Sequence, residues 1–369
     1  MPPEPIYVTR PTLPPLEEYV AELQDIWEAR YVTNAGPKHQ LLMKQLANYL
    51  RVPHVALFAN GHLALEGALQ TLGITGEVIT TPFTFVSTTL AIVRSGATPV
   101  CCDIDPTHYV LEPKRIEELI TPRTEAILPV HVYGNLCDDR RIGEIARKHG
   151  LKVIYDAAHA FGISRDGVPV GDLGDISMFS LHATKVFNSI EGGALTFADE
   201  TLARPLHSWR QFGHLGGENA EVLGTNAKLT EFAAAMGLCN LRYVDETIAG
   251  RRAVTERYRQ QLADVAGVTL NPEVSGVEQN YAYFPVLFNP EVFGRSRDEV
   301  AATLARHDVY ARRYFYPLTS QMSVFAGSYP VEATPIAAGI AEQVLTLPLY
   351  ADLPLEQVDR ICEIILNTR

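Results

Sequence analysis

The chain has 369 residues, of which 47% are hydrophobic and 20% charged, and its formal net charge is −12. That length allows roughly two or three domains, and the composition fits a globular protein with a large core. The acidic balance, with a pI of about 5.4, argues against a general nucleic-acid binder, which carries a basic face. A small anionic substrate stays open, because local basic residues decide that.

The first residues, MPPEPIYVTRP, offer neither a basic n-region nor an apolar h-region, so no secretory leader is expected. No apolar run is long enough to span a bilayer. Cys101, Cys102, Cys137, Cys239 and Cys362 form no CxxC or Cys/His ligand spacing. They read as free thiols in a reducing cytoplasm, with no structural metal.

In chain order, the proline-rich arm is expected to wrap another element. A helix follows over about Leu16 to Arg30, with Leu16, Tyr19, Val20, Leu23, Ile26 and Trp27 on one face. After the loop Thr33 to Pro37 comes a helix over His39 to Leu50. Then short apolar runs alternate with helical patterns: VALFA, a helix from Leu63 to Leu72, GEVIT, a helix in PFTFVSTTLAIVRSG, TPVCCDI, EAILPVHVYG, a helix from Arg140 to His149, LKVIYDAAHA, DISMFSL and GALTF. Nearly all-apolar strands alternating with helices indicate a mostly parallel sheet covered on both faces. Such sheets bind ligands beyond the carboxyl ends of their strands. After Asn226 a helical region over about Thr230 to Ala266 leads into VTLNP, NYAYFPVLF and helices over Arg297 to His307 and Leu355 to Leu366, which read as a smaller α+β domain.

Four features fall at carboxyl ends of these strands. Lys185 sits between two apolar runs in Ile176 to Phe197, flanked by Ser180, His182 and Thr184. An amine in a cleft loses its proton more readily than one in water and can attack a carbonyl; the plainer alternative is a solvated lysine on a hairpin. Asn60-Gly61-His62 opens a helix whose free N–H groups and dipole favour an anion, as many β-α turns do. Asp156 ends a buried strand and needs a partner. It fits a helix N-cap, or a carboxylate that holds a pyridinium N–H. Phe83 and Phe85 suit either the core or a stacking face over a planar ring. Together an amine, a carboxylate, an aromatic face and a phosphate cradle are the inventory for pyridoxal phosphate.

The chain resembles the DegT/StrS family of sugar aminotransferases. The matching segments are YVTNAGP, FANGHLALEGAL, TPFTFVSTTLAI, LPVHVYG, VIYDAAHAFG, SMFSLHATKVFNSIEGGALTF, GTNAKLTEFAAAMG, RRYFYPL and LPLY, in the family's order from Tyr31 to Tyr350. The resemblance implies fold type I of pyridoxal-phosphate-dependent transferases. That means a large α/β domain with a mostly parallel seven-stranded sheet sandwiched by helices, over residues 1–245 with the N-terminal arm, and a smaller C-terminal α+β domain over 246–369. It implies that Lys185 bonds to the cofactor's aldehyde and carries the proton between cofactor and substrate carbons. It implies that Asp156 pairs the pyridine nitrogen, Phe85 stacks on the ring, and Gly61, His62 and Ser180 hold the phosphate. His159 stands where the family often has Gln, near the ring oxygen, and His62 where Ser or Thr is common. Asn226 is expected to reach the partner subunit's cofactor, which makes the active unit a homodimer with shared sites.

The family acts on nucleotide-linked keto sugars with L-glutamate as the usual donor. HATK and the Glu-Gly-Gly ending resemble members that aminate C4, so a dTDP-4-keto-6-deoxyhexose is the expected substrate. A C3-aminating or UDP-sugar-specific enzyme and a non-catalytic regulatory protein are the alternatives. Arg313, Tyr314, Tyr316 and His182 are the expected substrate contacts, with Arg30, Lys152, His214 and Arg312 as further candidates for the diphosphate. A histidine in place of the lysine would mark a dehydratase relative, and no GxGxxG follows the first strand to mark a dehydrogenase.

Overall fold

The computed structural model describes residues 4–214, 217, 219–325 and 333–369. A seven-stranded sheet contains β1 (His54–Phe58), β2 (Glu77–Thr80), β3 (Thr98–Cys101), β4 (Thr124–Leu128), β5 (Lys152–Asp156), β6 (Ile176–Ser180) and β7 (Gly193–Phe197). The spatial order is β1-β7-β6-β5-β4-β2-β3. All neighbours are parallel except β7, which runs antiparallel to both β1 and β6. The hairpin expected around Lys185 is therefore β6–loop–β7, with Gly193 opposite Ser180.

Strand side chains alternate between two buried faces, as the pleat requires. Val55, Leu57 and Ala194 pack with Leu42 and Leu46 of helix α2 (Pro37–Leu50) and with Leu238 of the helix Glu231–Leu241. Ala56, Phe58 and Leu195 pack on the other side with Ala64, Leu65 and Ala68 of helix α3 (Gly61–Thr71). With both faces covered, only strand ends are free to carry chemistry. The seven-stranded, helix-sandwiched architecture is the one expected.

Several bounds differ from the sequence reading. Helix α3 starts at Gly61 rather than Leu63, because Asn60 caps it by accepting from Leu63 N–H at 2.9 Å. The helical region expected from Thr230 to Ala266 divides into Glu231–Leu241 and Val244–Leu262. Helix α1 (Leu16–Ala29) forms, yet of its apolar face only Ile26 is buried. Leu16 is 73% and Trp27 67% exposed.

The C-terminal part carries a three-stranded antiparallel sheet of Val268–Leu270, Phe284–Phe288 and Val344–Leu347. Its core includes Phe284, Val286, Val358 and Ile361. The proline-rich arm does wrap another element: Ile6–Tyr7 pairs in parallel with Val309–Tyr310, and Val8 O accepts from Leu349 N–H. Among the described residues no helix is long and apolar enough to cross a membrane. The five cysteines are free.

Candidate active site

The carboxyl ends of β1, β5 and β6 open onto a cavity of about 500 Å³. Gly61, His62, Phe85, Asp156, His159, Ser180, His182, Lys185 and Tyr314, all singled out in the sequence, line it.

Asp156 is the last residue of β5 and is 5% exposed. Its Oδ2 accepts from Thr88 Oγ1 at 2.7 Å and its Oδ1 from Ala158 N–H at 3.1 Å. Burial pushes the carboxyl up, and the Thr88 and Ala158 hydrogen bonds and the Lys185 charge oppose that. A carboxylate has more acceptor sites than these two bonds fill, so it is equipped to hold a cationic N–H in the cavity.

Lys185 lies in the β6–β7 loop. That loop is closed by Leu181 N–H to Gly192 O at 2.8 Å and Ser189 N–H to Leu181 O at 2.9 Å. Lys185 Nζ stands 5.7 Å from the centre of the Tyr283 ring. His159 is buried and stacks on Phe315, with centroids 5.9 Å apart and planes 3° apart. Its Nδ1 accepts from Tyr133 N–H at 3.1 Å. Burial, then the Lys185 charge, pushes the imidazole well below its ordinary value. His159 is thus neutral with its hydrogen on Nε2, the tautomer that donates away from Tyr133.

Phe83 and Phe85 part company. Phe83 is fully buried, edge-on to Tyr109, Tyr133 and Phe315. Phe85 precedes helix α4 (Val86–Arg94) and is 59% exposed over the cavity, free to cover a planar ring. At the other end, the first N–H groups of α3 have no partners within the helix. A Cβ on Gly61 would meet Met178 Sδ at 3.1 Å and Ser180 Cβ at 3.3 Å. The glycine therefore lets α3 approach β6 and brings its N-terminus beside Ser180.

Three expected residues lie outside this cavity. Arg313 and Tyr316 line a neighbouring cavity of about 470 Å³ with Arg312. The two cavities share Thr84, Phe85, Tyr314 and Phe315. Asn226 is exposed in the loop before the helix Glu231–Leu241, its Oδ1 accepting from Lys228 Nζ at 2.5 Å. Of the further basic candidates, Lys152 is a correction: it begins β5, at the end opposite Asp156, and pairs with Asp175 at 2.8 Å. Thr88, Tyr283 and Glu191 were not anticipated as site residues. Thr84 Oγ1 and Thr88 Oγ1 lie 3.1 Å apart, and Thr88 stands behind Asp156.

A sandwiched, mostly parallel sheet with an amine and a buried carboxylate at its carboxyl edge is the architecture of pyridoxal-phosphate-dependent transferases of fold type I. The chain belongs to the DegT/DnrJ/EryC1/StrS aminotransferase family, whose model matches residues 16–366. It is 43% identical to the dTDP-4-amino-4,6-dideoxy-D-glucose transaminase of Shigella dysenteriae over 97% of each chain. It is 40% identical to the Escherichia coli protein of the same name over 98% of each. Among solved structures it is similar to DesI, crystallised in the presence of its TDP-sugar product, with a TM-score of 0.95 and 33% identity over 99% of this chain and 93% of that one. The cofactor of this family is pyridoxal phosphate, and the residues present fit it. The buried Asp156 has acceptor capacity to spare, and the close approach that Gly61 permits sets the free N–H groups of α3 beside Ser180.

Proposed function

We propose that the protein moves the amino group of L-glutamate to the C4 keto group of a dTDP-4-keto-6-deoxyhexose, giving a dTDP-4-amino-4,6-dideoxy sugar. One observation carries this reading. Lys185 and the buried Asp156 share a cavity in a chain that matches two transaminases of that product class along nearly its whole length.

When bound, pyridoxal phosphate supplies an electron sink for the carbon that loses its proton. Lys185 Nζ holds the cofactor and moves the proton between carbons. Asp156 accepts from the ring N–H, which keeps that nitrogen positive. His159 donates from Nε2 to the ring oxygen. Phe85 covers one face of the ring and keeps water from it. The N–H groups of Gly61 and His62 and the Ser180 hydroxyl hold the phosphate. His182, Tyr314, Tyr316 and Arg313 meet the sugar nucleotide, the last two from the adjoining cavity. The active unit is a cytoplasmic homodimer. The exposed apolar face of α1 and the position of Asn226 outside its own cavity support a partner surface.

The test is to incubate the purified protein with L-glutamate and dTDP-, UDP- or GDP-linked 4-keto and 3-keto sugars. We expect amine product from the dTDP-4-keto sugar. Turnover of only a 3-keto or a UDP sugar overturns the substrate. No turnover of any, with no absorbance from a bound cofactor, favours a regulatory protein instead.

A further inference from the structure

Two side chains on the wall of the cavity and a buried carboxylate behind them form a chain that the transfer of an amine does not itself require. His62, in the first turn of α3, has both ring nitrogens engaged. Nδ1 lies 2.9 Å from Ser87 Oγ, in the first turn of α4. Nε2 lies 2.9 Å from Glu66 Oε1, one turn along α3. His62 and Ser87 both face the cavity, while Glu66 is 5% exposed and also pairs with Arg94. Burial pushes the Glu66 carboxyl up, but the hydrogen bonds from His62 and Arg94 outweigh it and hold Glu66 below its ordinary value.

An ionised carboxylate only accepts, so Nε2 carries a hydrogen. The state of Nδ1 then decides what Ser87 is able to do. With His62 neutral, Nδ1 is a lone pair and the Ser87 hydroxyl spends its hydrogen on it. With His62 protonated, Nδ1 donates to Ser87 Oγ, and the hydroxyl hydrogen is released toward the cavity. It is released beside the start of α3, where free N–H groups and the helix dipole favour an anion.

We propose that Ser87, His62 and Glu66 form a proton-linked latch for the cofactor's phosphate. On binding, His62 takes one proton from solvent, and Ser87 donates its freed hydrogen to a phosphate oxygen. Binding and protonation then favour each other by the same factor. Ser87 contacts the ligand directly, whereas Glu66 is a positioning residue. Glu66 fixes the ring, and Ser87 reports its charge to the ligand. The charged groups around His62 are Glu66 on its own helix and Arg94 on α4. Across the cavity stand Lys185, His182 and Glu191 from the β6–β7 loop and Asp156 from β5. A substitution at Ser87 leaves all of these in place, so it isolates the latch.

The inference rests on the pyridoxal-phosphate reading. It is tested by titrating the apoprotein with pyridoxal phosphate, and with pyridoxal, which lacks the phosphate, at pH 6.5 and pH 8.5. Ser87→Ala should weaken pyridoxal phosphate about tenfold at pH 6.5, the worth of one hydrogen bond to a charged group. The loss should shrink to about threefold or less at pH 8.5. Pyridoxal should bind both proteins alike, and Ser87→Thr should restore the wild-type behaviour. An equal loss at both pH values, or a loss that pyridoxal shares, overturns the latch and leaves the cofactor reading standing. Failure of the wild type to bind pyridoxal phosphate overturns both.

Discussion

Lys185 and Asp156 stood out in the sequence because one sits in the loop between two apolar strands and the other ends an apolar strand, both at the edge where a parallel sheet binds ligands. Lys185→Ala should retain the fold and lose transamination to background, read by product formation and circular dichroism; turnover near the wild-type rate would remove the lysine from the centre. Thr88 was not legible, since a threonine in a helical run reads as a neutral choice, and only the fold brings it to Asp156. Thr88→Val strips one hydrogen bond from a buried carboxylate, worth about 1.5–3 kcal/mol. We expect kcat/KM to fall about ten- to a hundredfold, with Thr88→Ser recovering most of it. A valine variant at wild-type activity would show that Asp156 needs no such support. His159 shows the limit of residue-level reading. Its type allowed two tautomers, and the Tyr133 N–H, distant in sequence, chooses one.

At the scale of elements, helices and strands were found where periodicity and apolar runs were strong, and missed where tertiary contact decides. The break at Arg242-Tyr243 has neither Gly nor Pro to announce it. Helix α1 was recognisable by its stripe, but a stripe does not name what it packs against. Arg242 and Tyr243 bond Glu18 and Glu22 on its polar side, while Leu16 and Trp27 stay mostly exposed, Trp27 meeting Phe232 edge-on. If that face meets a second copy, Trp27→Glu should shift the protein toward monomer in analytical ultracentrifugation; an unchanged mass would place the interface elsewhere. Helix α3 was set two residues late because the glycine was read as loop. Its lack of a side chain is what seats the helix against β6.

At the scale of the molecule, two consequences are open to measurement. His39 and His131 are fully buried and burial pushes both down to about 3. Their folded values lie below the unfolded imidazole value, so their stability contribution is full above about pH 6.5 and is lost as pH falls toward 3. Each neutral imidazole gives up to about 1.4 kcal/mol per pH unit within that window. The apoprotein's melting temperature should therefore drop steeply from pH 6.5 to pH 5, and His131→Gln should flatten the slope. A melting temperature constant over that range would mean that the histidines titrate freely. The second consequence concerns shared sites. Lys185→Ala and Asn226→Ala, each impaired alone, should regain activity when their subunits exchange, because one of the two heterodimer sites then receives both intact halves. Heterodimers without activity would return Asn226 to a loop role. The residue types gave no sign of a partner, since an exposed asparagine looks the same in either case.

The pairing of Ile6–Tyr7 with Val309–Tyr310 joins the N-terminal arm to the C-terminal part of the chain. A contact so distant in sequence carries a large loop-closure cost and is slow to form. Val309–Tyr310 pairs with the arm alone, outside the three-stranded sheet, so we expect the contact on the late side of the folding barrier. Interactions made after the barrier leave the folding rate alone and govern how fast the native state comes apart. The arm is in that sense a clasp fastened last, and its contribution is to lifetime rather than to assembly.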